Sequence, residues 1–306
     1  MRQALVSALL EHTSDPAMCL LTGDLGFMAL EPLRDALGDR FINAGVSEQN
    51  MLSVAAGMAR SGMRPWVYSI APFCYARPFE QIRNDVALHD LPVRIIANGG
   101  GYGYGVQGPS HHGIEDCAVM GCLQNMRVHV PAFDDDLGPL IAALTRDGRP
   151  GYLRLGRDER PEGVQPPPHA PFRLLHHGAA GLILALGPLA GVCWNALLRL
   201  PEEKRPELWC CCEMPRDAGD YPTELLRRAA DAPWALVAEE HVATGGLGAN
   251  FALALLESGF RPQRFVHRHA LGYPGKRYGS QQYHRAECGL DVESIGACLL
   301  ELGRPS

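Results

Sequence analysis

Short apolar runs alternate with helix-like patterns from the N-terminus onward. Apolar runs with the length of a buried strand occur at residues 17–22, 66–70, 93–97, 127–130 and 152–155. Helical patterns precede or separate them, at residues 1–11, 30–37, 48–60, 77–88, 114–123 and 137–145. Strands that alternate with helices form parallel sheets covered on both faces, so this pattern predicts an α/β domain.

A charged and proline-rich stretch at residues 157–171 interrupts the alternation, as is typical of an extended connector. Beyond it, apolar runs at 181–187, 208–212 and 235–238 begin a second α/β unit. The sequence therefore predicts two α/β domains, each with a mostly parallel sheet flanked by helices. The predicted bounds are 1–160 for the first domain, 161–172 for a proline-rich linker and 173–306 for the second domain.

Composition narrows the possible partners of the protein. The 306 residues are 46% hydrophobic, carry a net charge of -6 and scatter their basic residues, which argues against nucleic acid as a ligand. No apolar run is long enough to cross a bilayer, and Glu11 and His12 interrupt the N-terminal helical pattern too early for a secretory signal. We therefore expect a cytoplasmic protein that binds neither nucleic acid nor membrane.

The ten cysteines include no Cys-x-x-Cys pair, but Cys210, Cys211 and Cys212 are consecutive within a predicted strand. Neighbouring strand residues point to opposite faces, so this run is not expected to hold one metal ion. We predict no metal site on this chain. The cysteines are expected to be buried free thiols in a reducing compartment.

One acidic residue, Glu48, opens a helical pattern that is apolar almost all round, within Gly-Val-Ser-Glu-Gln-Asn-Met at residues 45–51. A carboxyl group at the edge of a buried helix suits proton transfer. In the ordinary alternative, Ser47 caps the helix and Glu48 complements its positive end. The functional interpretation predicts an apolar pocket in which no Lys or Arg of this chain neutralises Glu48.

A glycine-rich segment follows the apolar run at 93–97, and its residues 103–108 match the dinucleotide pattern G-x-G-x-x-G, with Asp134 as a candidate ribose-binding acid. The context argues against a nicotinamide site, because the motif neither begins at the strand end nor opens directly into a helix. The glycines still allow close backbone approach to a ligand, and His111 and His112 offer donors near neutral pH. A polar loop with a helix-capping Ser110 is the alternative.

Six segments in this order resemble motifs of the transketolase family. They are residues 45–51, Phe-Cys-Tyr-Ala-Arg-Pro-Phe-Glu-Gln-Ile-Arg at 73–83, Gly-Pro-Ser-His-His-Gly-Ile-Glu-Asp at 108–116, Asn-Met-Arg-Val at 125–128, Tyr-Leu-Arg-Leu-Gly-Arg at 152–157, and Glu-Glu-His with Gly-Gly-Leu-Gly between 239 and 248. The chain resembles the C-terminal part of a split transketolase, a pyrimidine-binding domain followed by the family's C-terminal domain. The Gly-Asp-Gly…Asn segment with which full-length transketolases bind diphosphate and Mg²⁺ is not found in it.

The resemblance implies thiamine diphosphate as cofactor, bridging this chain and a separate N-terminal subunit that holds the diphosphate and Mg²⁺. It also implies a two-plus-two heterotetramer. Glu48 matches the family's Glu that hydrogen-bonds N1′ of the aminopyrimidine, and Phe73 matches the aromatic residue that stacks on it, with Tyr75 nearby. Asp24 and Leu25 are matched to cofactor contacts across the subunit interface.

The resemblance also assigns substrate residues. His111 matches the substrate-binding His and is counted with Glu48 as catalytic, and Arg157 matches the Arg that meets a sugar phosphate, for which a surface ion pair is the alternative. Three positions depart from the family. Its second substrate His falls on Gly99, its loop Asp falls on Gln107, and its aromatic residue at Ile70 is absent. The standard pentose phosphates are therefore doubtful substrates.

The function implied is transfer of a two-carbon ketol unit from a ketose, expected to be phosphorylated, to an aldehyde, with activity only beside the partner chain. One alternative is the beta subunit of a 2-oxo acid dehydrogenase, which would carry Gln-His-Ser-Gln where this chain has Pro-Ser-His-His at 109–112. The other is a non-catalytic relative, against which the retention of Glu48 and Phe73 argues.

Overall fold

The computed structural model describes residues 1–304, and its first half forms a six-stranded parallel sheet. The strands are β1 Met18–Thr22, β2 Phe41–Asn43, β3 Arg64–Ile70, β4 Arg94–Asn98, β5 Arg127–His129 and β6 Gly151–Leu155. Their order in the sheet is β2-β1-β3-β4-β6-β5. Every crossover between these parallel strands therefore returns to the same edge, which gathers the carboxyl ends of the strands together.

Helices cover both faces of this sheet. They are α1 Arg2–Leu10, α2 Glu31–Leu37, α3 Glu48–Arg60, α4 Ala71–Tyr75, α5 Phe79–Gln81 with a π-helical continuation Ile82–Ala87, α6 Asp116–Gly121 and α7 Leu137–Arg146. Side chains of β1 alternate between the faces: Leu20 packs in one core with Leu5 and Leu33, whereas Leu21 packs in another with Met51. The continuous apolar runs of the strands follow from this two-sided burial.

The second half forms a five-stranded mixed sheet in the order β11-β10-β8-β9-β7, in which only β7 runs antiparallel, to β9. Its strands are β7 Phe172–His176, β8 Leu182–Leu186, β9 Glu207–Cys211, β10 Ala235–Ala238 and β11 Phe265–Arg268. Its helices are α8 Leu189–Leu198, α9 Thr223–Asp231, α10 Leu247–Glu257, α11 Gln281–Cys288 and α12 Val292–Leu302. Residues 157–171 lie between the sheets without helix or strand. The predicted α/β fold class is confirmed.

Two local predictions were wrong, and a third was displaced. The helix predicted at 77–88 begins at Phe79, as α5 with its π-helical continuation, because Pro78 has no amide N–H for a helical ladder and directly precedes it. Helix α3 is buried on one face only, since Ser53 and Gly57 on the other face are exposed. All ten cysteines are free as expected, but Cys122 is exposed rather than buried.

Within residues 1–304, every helix falls short of the length and apolar character that crossing a bilayer requires.

Candidate active site

The residues proposed from the sequence gather at the carboxyl edge of the first sheet. Asp24 and Leu25 follow β1, Glu48 lies in the segment after β2, Phe73 follows β3, Gly99 follows β4 and Arg157 follows β6. In parallel α/β sheets this edge is where ligands bind, because loops from several strands converge there. The topology thus places these residues at one edge of the sheet.

Glu48 is only 6% exposed, and its Oε1 lies 2.6 Å from Nη1 of Arg77. The expectation that no cation of this chain would neutralise Glu48 was therefore wrong. Arg77 reaches it from beyond α4, and the same guanidinium lies 3.7 Å from the ring centroid of Phe73. A single arginine thus joins the proposed proton-transfer group to the proposed stacking group, and its side chain stays 46% exposed.

The start of α3 is not held by a serine cap. The Ser47 hydroxyl donates to the Ala44 carbonyl at 2.6 Å, and it caps none of the first amides of the helix. Glu48 therefore has the first helical position, where a carboxylate complements the positive end of the helix. The capping interpretation of Ser47 was wrong, whereas the favourable placement of an acid holds.

Asp24 and Leu25 line a cleft of about 160 Å³ between the loop after β1, the start of α2 and β2. Asn43, at the end of β2, organises the cleft: its Oδ1 accepts from the backbone amides of Asp24 and Gly45, each at 3.0 Å, and its Nδ2 donates to Asp24 Oδ1 at 2.9 Å. Thr22 Oγ1 also donates to the Leu25 carbonyl at 2.9 Å. Sequence reasoning missed Asn43, which ties the loops after β1 and β2 together.

The ring of His111 continues the site from Phe73, with centroids 5.0 Å apart. On its other side the Tyr104 ring lies 5.8 Å away, and Ser110 Oγ is 2.9 Å from His111 Nδ1. Phe73, His111 and Tyr104 therefore form one aromatic row. Glu48 lies at one end of this row because Arg77 connects it to Phe73.

Tyr104 also explains the departure at Gly99. Gly99 has a φ of +76°, and a Cβ built on it would overlap the Tyr104 ring. The Tyr104 hydroxyl accepts from Asn98 Nδ2 at 2.7 Å, which fixes the ring in that space. A histidine side chain at position 99 cannot coexist with this ring, and sequence reasoning did not single out Tyr104.

The remaining predicted residues lie apart from that row. Gln107 is exposed in the 3₁₀ turn Gly105–Gln107, and Arg157 is exposed after β6. Tyr75 is buried, and its hydroxyl donates to Glu115 Oε2 at 3.3 Å, so it faces away from solvent. Burial raises the pKa of Tyr75 above its ordinary value, which keeps the phenol protonated.

The glycine-rich loop is anchored by the second half of the chain. Glu240, which is buried, accepts from the Tyr102 amide and from Arg285 Nε, each at 2.6 Å, and from Gln281 Nε2 at 3.0 Å. Arg285 Nη1 also donates to Glu159 Oε1 at 2.6 Å. Residues 103–108, which match G-x-G-x-x-G, therefore belong to a loop held by side chains and do not form the strand-to-helix turn of a nucleotide site.

Arg154 provides a second anchor for the same loop. Its Nη2 donates to the carbonyls of Gly113 and Glu240, both at 2.8 Å, and its Nε lies 3.2 Å from Asp116 Oδ2. Burial alone would lower the pKa of Arg154, but the Asp116 carboxylate beside it raises that pKa above the ordinary value. The guanidinium is thus a permanent charge that joins both halves of the chain.

Comparison with known proteins identifies the family of this chain. Residues 1–162, more than half of the chain, match the family model for the transketolase pyrimidine binding domain. The chain belongs to the transketolase family. This is a family of thiamine-diphosphate enzymes, as the resemblance implied.

The similarities extend over the whole chain. It is 30% identical to one subunit of the apulose-4-phosphate transketolase of Phocaeicola vulgatus, over 98% of this chain and 96% of that protein. It is 32% identical to the 1-deoxy-D-xylulose-5-phosphate synthase of Dehalococcoides mccartyi over 89% of this chain, but it spans only 42% of that synthase. A solved structure described as a split gene transketolase, inactive beta4 tetramer, superposes with a TM-score of 0.81 at 29% identity, covering 99% of this chain and 98% of the other.

Proposed function

We propose that this chain is the pyrimidine-binding subunit of a two-chain, thiamine-diphosphate-dependent transketolase. The enzyme transfers a two-carbon ketol unit from a ketose to an aldehyde acceptor. The observation that carries the proposal is the buried Glu48 carboxylate, joined through Arg77 to the aromatic row Phe73–His111 at the carboxyl edge of the sheet. The similarity to one subunit of a known transketolase, over nearly the full length of both chains, supports a separate partner.

The residues at this edge fit the pyrimidine end of the cofactor. The face of Phe73 already accepts a flat group, the Arg77 guanidinium, at 3.7 Å, which is a distance suited to stacking. Gly23 adds space beside the carboxylate, since a Cβ there would lie 3.4 Å from the Gly45 carbonyl and 4.0 Å from Glu48 Cγ. We propose that the diphosphate and Mg²⁺ are held by the partner subunit.

The bound cofactor would supply an acidic carbon and an electron sink. Glu48 would hold and return a proton at its carboxylate, which needs Arg77 to release Oε1 or to share it. Phe73 would stack on the pyrimidine and exclude water from it. His111, held by Ser110, would donate a hydrogen bond to a substrate oxygen.

The substrate we propose is a phosphorylated ketose other than the standard pentose phosphates. Arg157 is exposed at the same sheet edge, and a guanidinium forms paired, charge-assisted hydrogen bonds with a phosphate. Tyr104 fills the space that a second substrate histidine at position 99 would need. Gln107 offers both a donor and an acceptor for a sugar hydroxyl in place of a carboxylate.

Arg157→Ala should raise KM for a phosphorylated ketose by roughly tenfold, the loss expected for one charge-assisted hydrogen bond, and leave kcat within about twofold. The same variant should leave KM for a non-phosphorylated ketose unchanged. Arg199→Ala, which removes an exposed arginine in the second half of the chain, serves as the matched control. An equal KM increase for both ketoses would show that Arg157 does not bind phosphate.

Reconstitution tests the proposed function itself. We expect the isolated chain to be inactive and to bind thiamine diphosphate weakly, and activity to appear on mixing with a candidate N-terminal transketolase subunit, thiamine diphosphate and Mg²⁺. A panel of ketoses with aldehyde acceptors, and pyruvate as an alternative donor, would identify the reaction. Tight, Mg²⁺-dependent calorimetric binding at one site per isolated chain would refute partner dependence, and turnover of pyruvate alone would refute the transketolase assignment.

The active assembly is expected to contain two copies of each chain, because closed, symmetric arrangements are the usual form of such oligomers. Light scattering on the active complex measures this directly. A stable and active one-to-one heterodimer would contradict it.

A further inference from the structure

Three side chains with metal-binding atoms meet where the two halves of the chain and residues 157–171 come together, and a fourth adjoins them. Asp136 ends the 3₁₀ turn Asp134–Asp136, His169 lies in the connecting residues, Cys210 is in β9 and Cys212 follows it. We propose that these four residues bind one zinc ion, which fastens residues 157–171 to both sheets. The proposal concerns a site outside the proposed active site and does not depend on that function.

The distances suit a tetrahedral ion. The sulfur atoms of Cys210 and Cys212 are 3.5 Å apart, whereas two thiolates on one zinc, each at about 2.3 Å, lie about 3.8 Å apart. Ligand atoms of Asp136, His169 and Cys212 all lie within 4.8 Å of one another. One oxygen, one nitrogen and one sulfur thus surround a common centre, and the Cys210 sulfur adjoins this group beside Cys212.

His169 carries an unused ligand atom. Its Nδ1 is buried without a hydrogen-bond partner in the described part of the chain, and it lies 3.7 Å from Asp136 Oδ1. That separation is too long for a hydrogen bond. It suits two atoms that bind the same ion at about 2.0–2.2 Å each.

Cys210 and Cys212 are two positions apart, so a prediction based on consecutive cysteines misses them as a pair. Side chains two residues apart on an extended strand point to the same face, so Cys210 and Cys212 share one face and Cys211 has the other. The structure shows this division: Cys210 and Cys212 pack in one hydrophobic core, and Cys211 packs in a different one. The thiol of Cys211 donates to the Glu213 carbonyl at 3.1 Å.

The surrounding charges favour a divalent cation with these ligands. Asp136 Oδ2 accepts from the amides of Ala132 and Phe133 and, at 2.7 Å, from Arg173 Nη2, which leaves Oδ1 to face His169. Such bonds to the second oxygen orient a ligating carboxylate. Two thiolates and one carboxylate carry three negative charges, which one zinc ion and the buried Arg173 together neutralise.

Cobalt(II) substitution tests the site in the full chain after chelation and reduction. We expect one Co²⁺ per chain, with a thiolate charge-transfer band and the strong visible absorption of tetrahedral cobalt, both displaced by one equivalent of Zn²⁺. Cys210→Ser and Cys212→Ser should each weaken binding at least 100-fold. Cys211→Ser is the matched control, because it removes a buried thiol from the same strand and should bind as the wild type does.

His169→Asn provides a ligand variant that opens no cavity in either sheet, since His169 lies in the connecting residues. It should weaken Co²⁺ binding at least tenfold while circular dichroism stays unchanged, because even the loss of a residue that only supports a ligand weakens metal binding by roughly that much. Zn²⁺ should raise the thermal midpoint of the wild type and of Cys211→Ser, but not of His169→Asn. The site is refuted if the wild type takes up no stoichiometric Co²⁺, if Cys211→Ser loses binding equally, or if His169→Asn binds as tightly as the wild type.

Discussion

Glu48→Gln should slow exchange of the cofactor's C2 proton in the reconstituted two-chain enzyme by roughly two or more orders of magnitude. The amide keeps the size of the side chain and its place at the first turn of α3, but it cannot accept and return a proton. Arg77 loses an ion pair that is nearly half exposed on the arginine side, so the fold is expected to change in stability by less than about 1 kcal/mol. Hydrogen–deuterium exchange at C2, followed by NMR after acid quench, measures the rate.

Glu224→Gln is the matched control, because Glu224 also lies in the first turn of a helix and pairs with an arginine, Arg228, at 2.9 Å. That variant should exchange at the wild-type rate. Light scattering would verify that both variants assemble with the partner subunit. If Glu48→Gln exchanges as fast as the wild type, Glu48 only starts a helix and the ordinary interpretation of the motif is correct.

Motif order led from the sequence to Glu48, Phe73 and His111, because those residue types at those positions already carry chemistry. The contacts that join them could not be predicted. Arg77 meets Glu48 across 29 residues of chain, from the segment between α4 and α5. Tyr104 occupies the space beside Gly99 through a loop conformation that no local pattern encodes.

The strands could be predicted where apolar runs were continuous, and the prediction missed strands where they were not. The strands β2 and β11 are half-exposed edge strands of three and four residues, too short to give a periodic signal. β7 alternates buried and half-buried positions, but it begins at Phe172, directly after the proline-rich stretch, and was therefore not recognised as a strand. Antiparallel pairing of β7 with β9 depends on contacts between residues distant in sequence, which periodicity does not report.

The anchor of the glycine-rich loop yields the second large effect, since Glu240→Ala should lower the free energy of unfolding by about 3–5 kcal/mol. The substitution leaves the Arg285 guanidinium, which is 6% exposed, without its buried counter-charge. It also leaves the Tyr102 amide and Gln281 Nε2 without their acceptor. Urea denaturation of the isolated chain measures the change directly.

Glu159→Ala is the matched control, because it removes an ion pair to the same arginine without removing a buried carboxylate. Glu159 contacts Arg285 at the same 2.6 Å but keeps 29% of its side chain exposed. A partly solvated carboxylate contributes less, so we expect a loss of no more than about 1 kcal/mol. If both variants destabilise equally, the charge of Arg285 matters rather than its desolvation. A loss below about 1 kcal/mol in Glu240→Ala would mean that Arg154, through Gly113, holds the loop without Glu240. His111 lies in this loop, so in the reconstituted enzyme the expected loosening should raise KM for the ketose more than it lowers kcat.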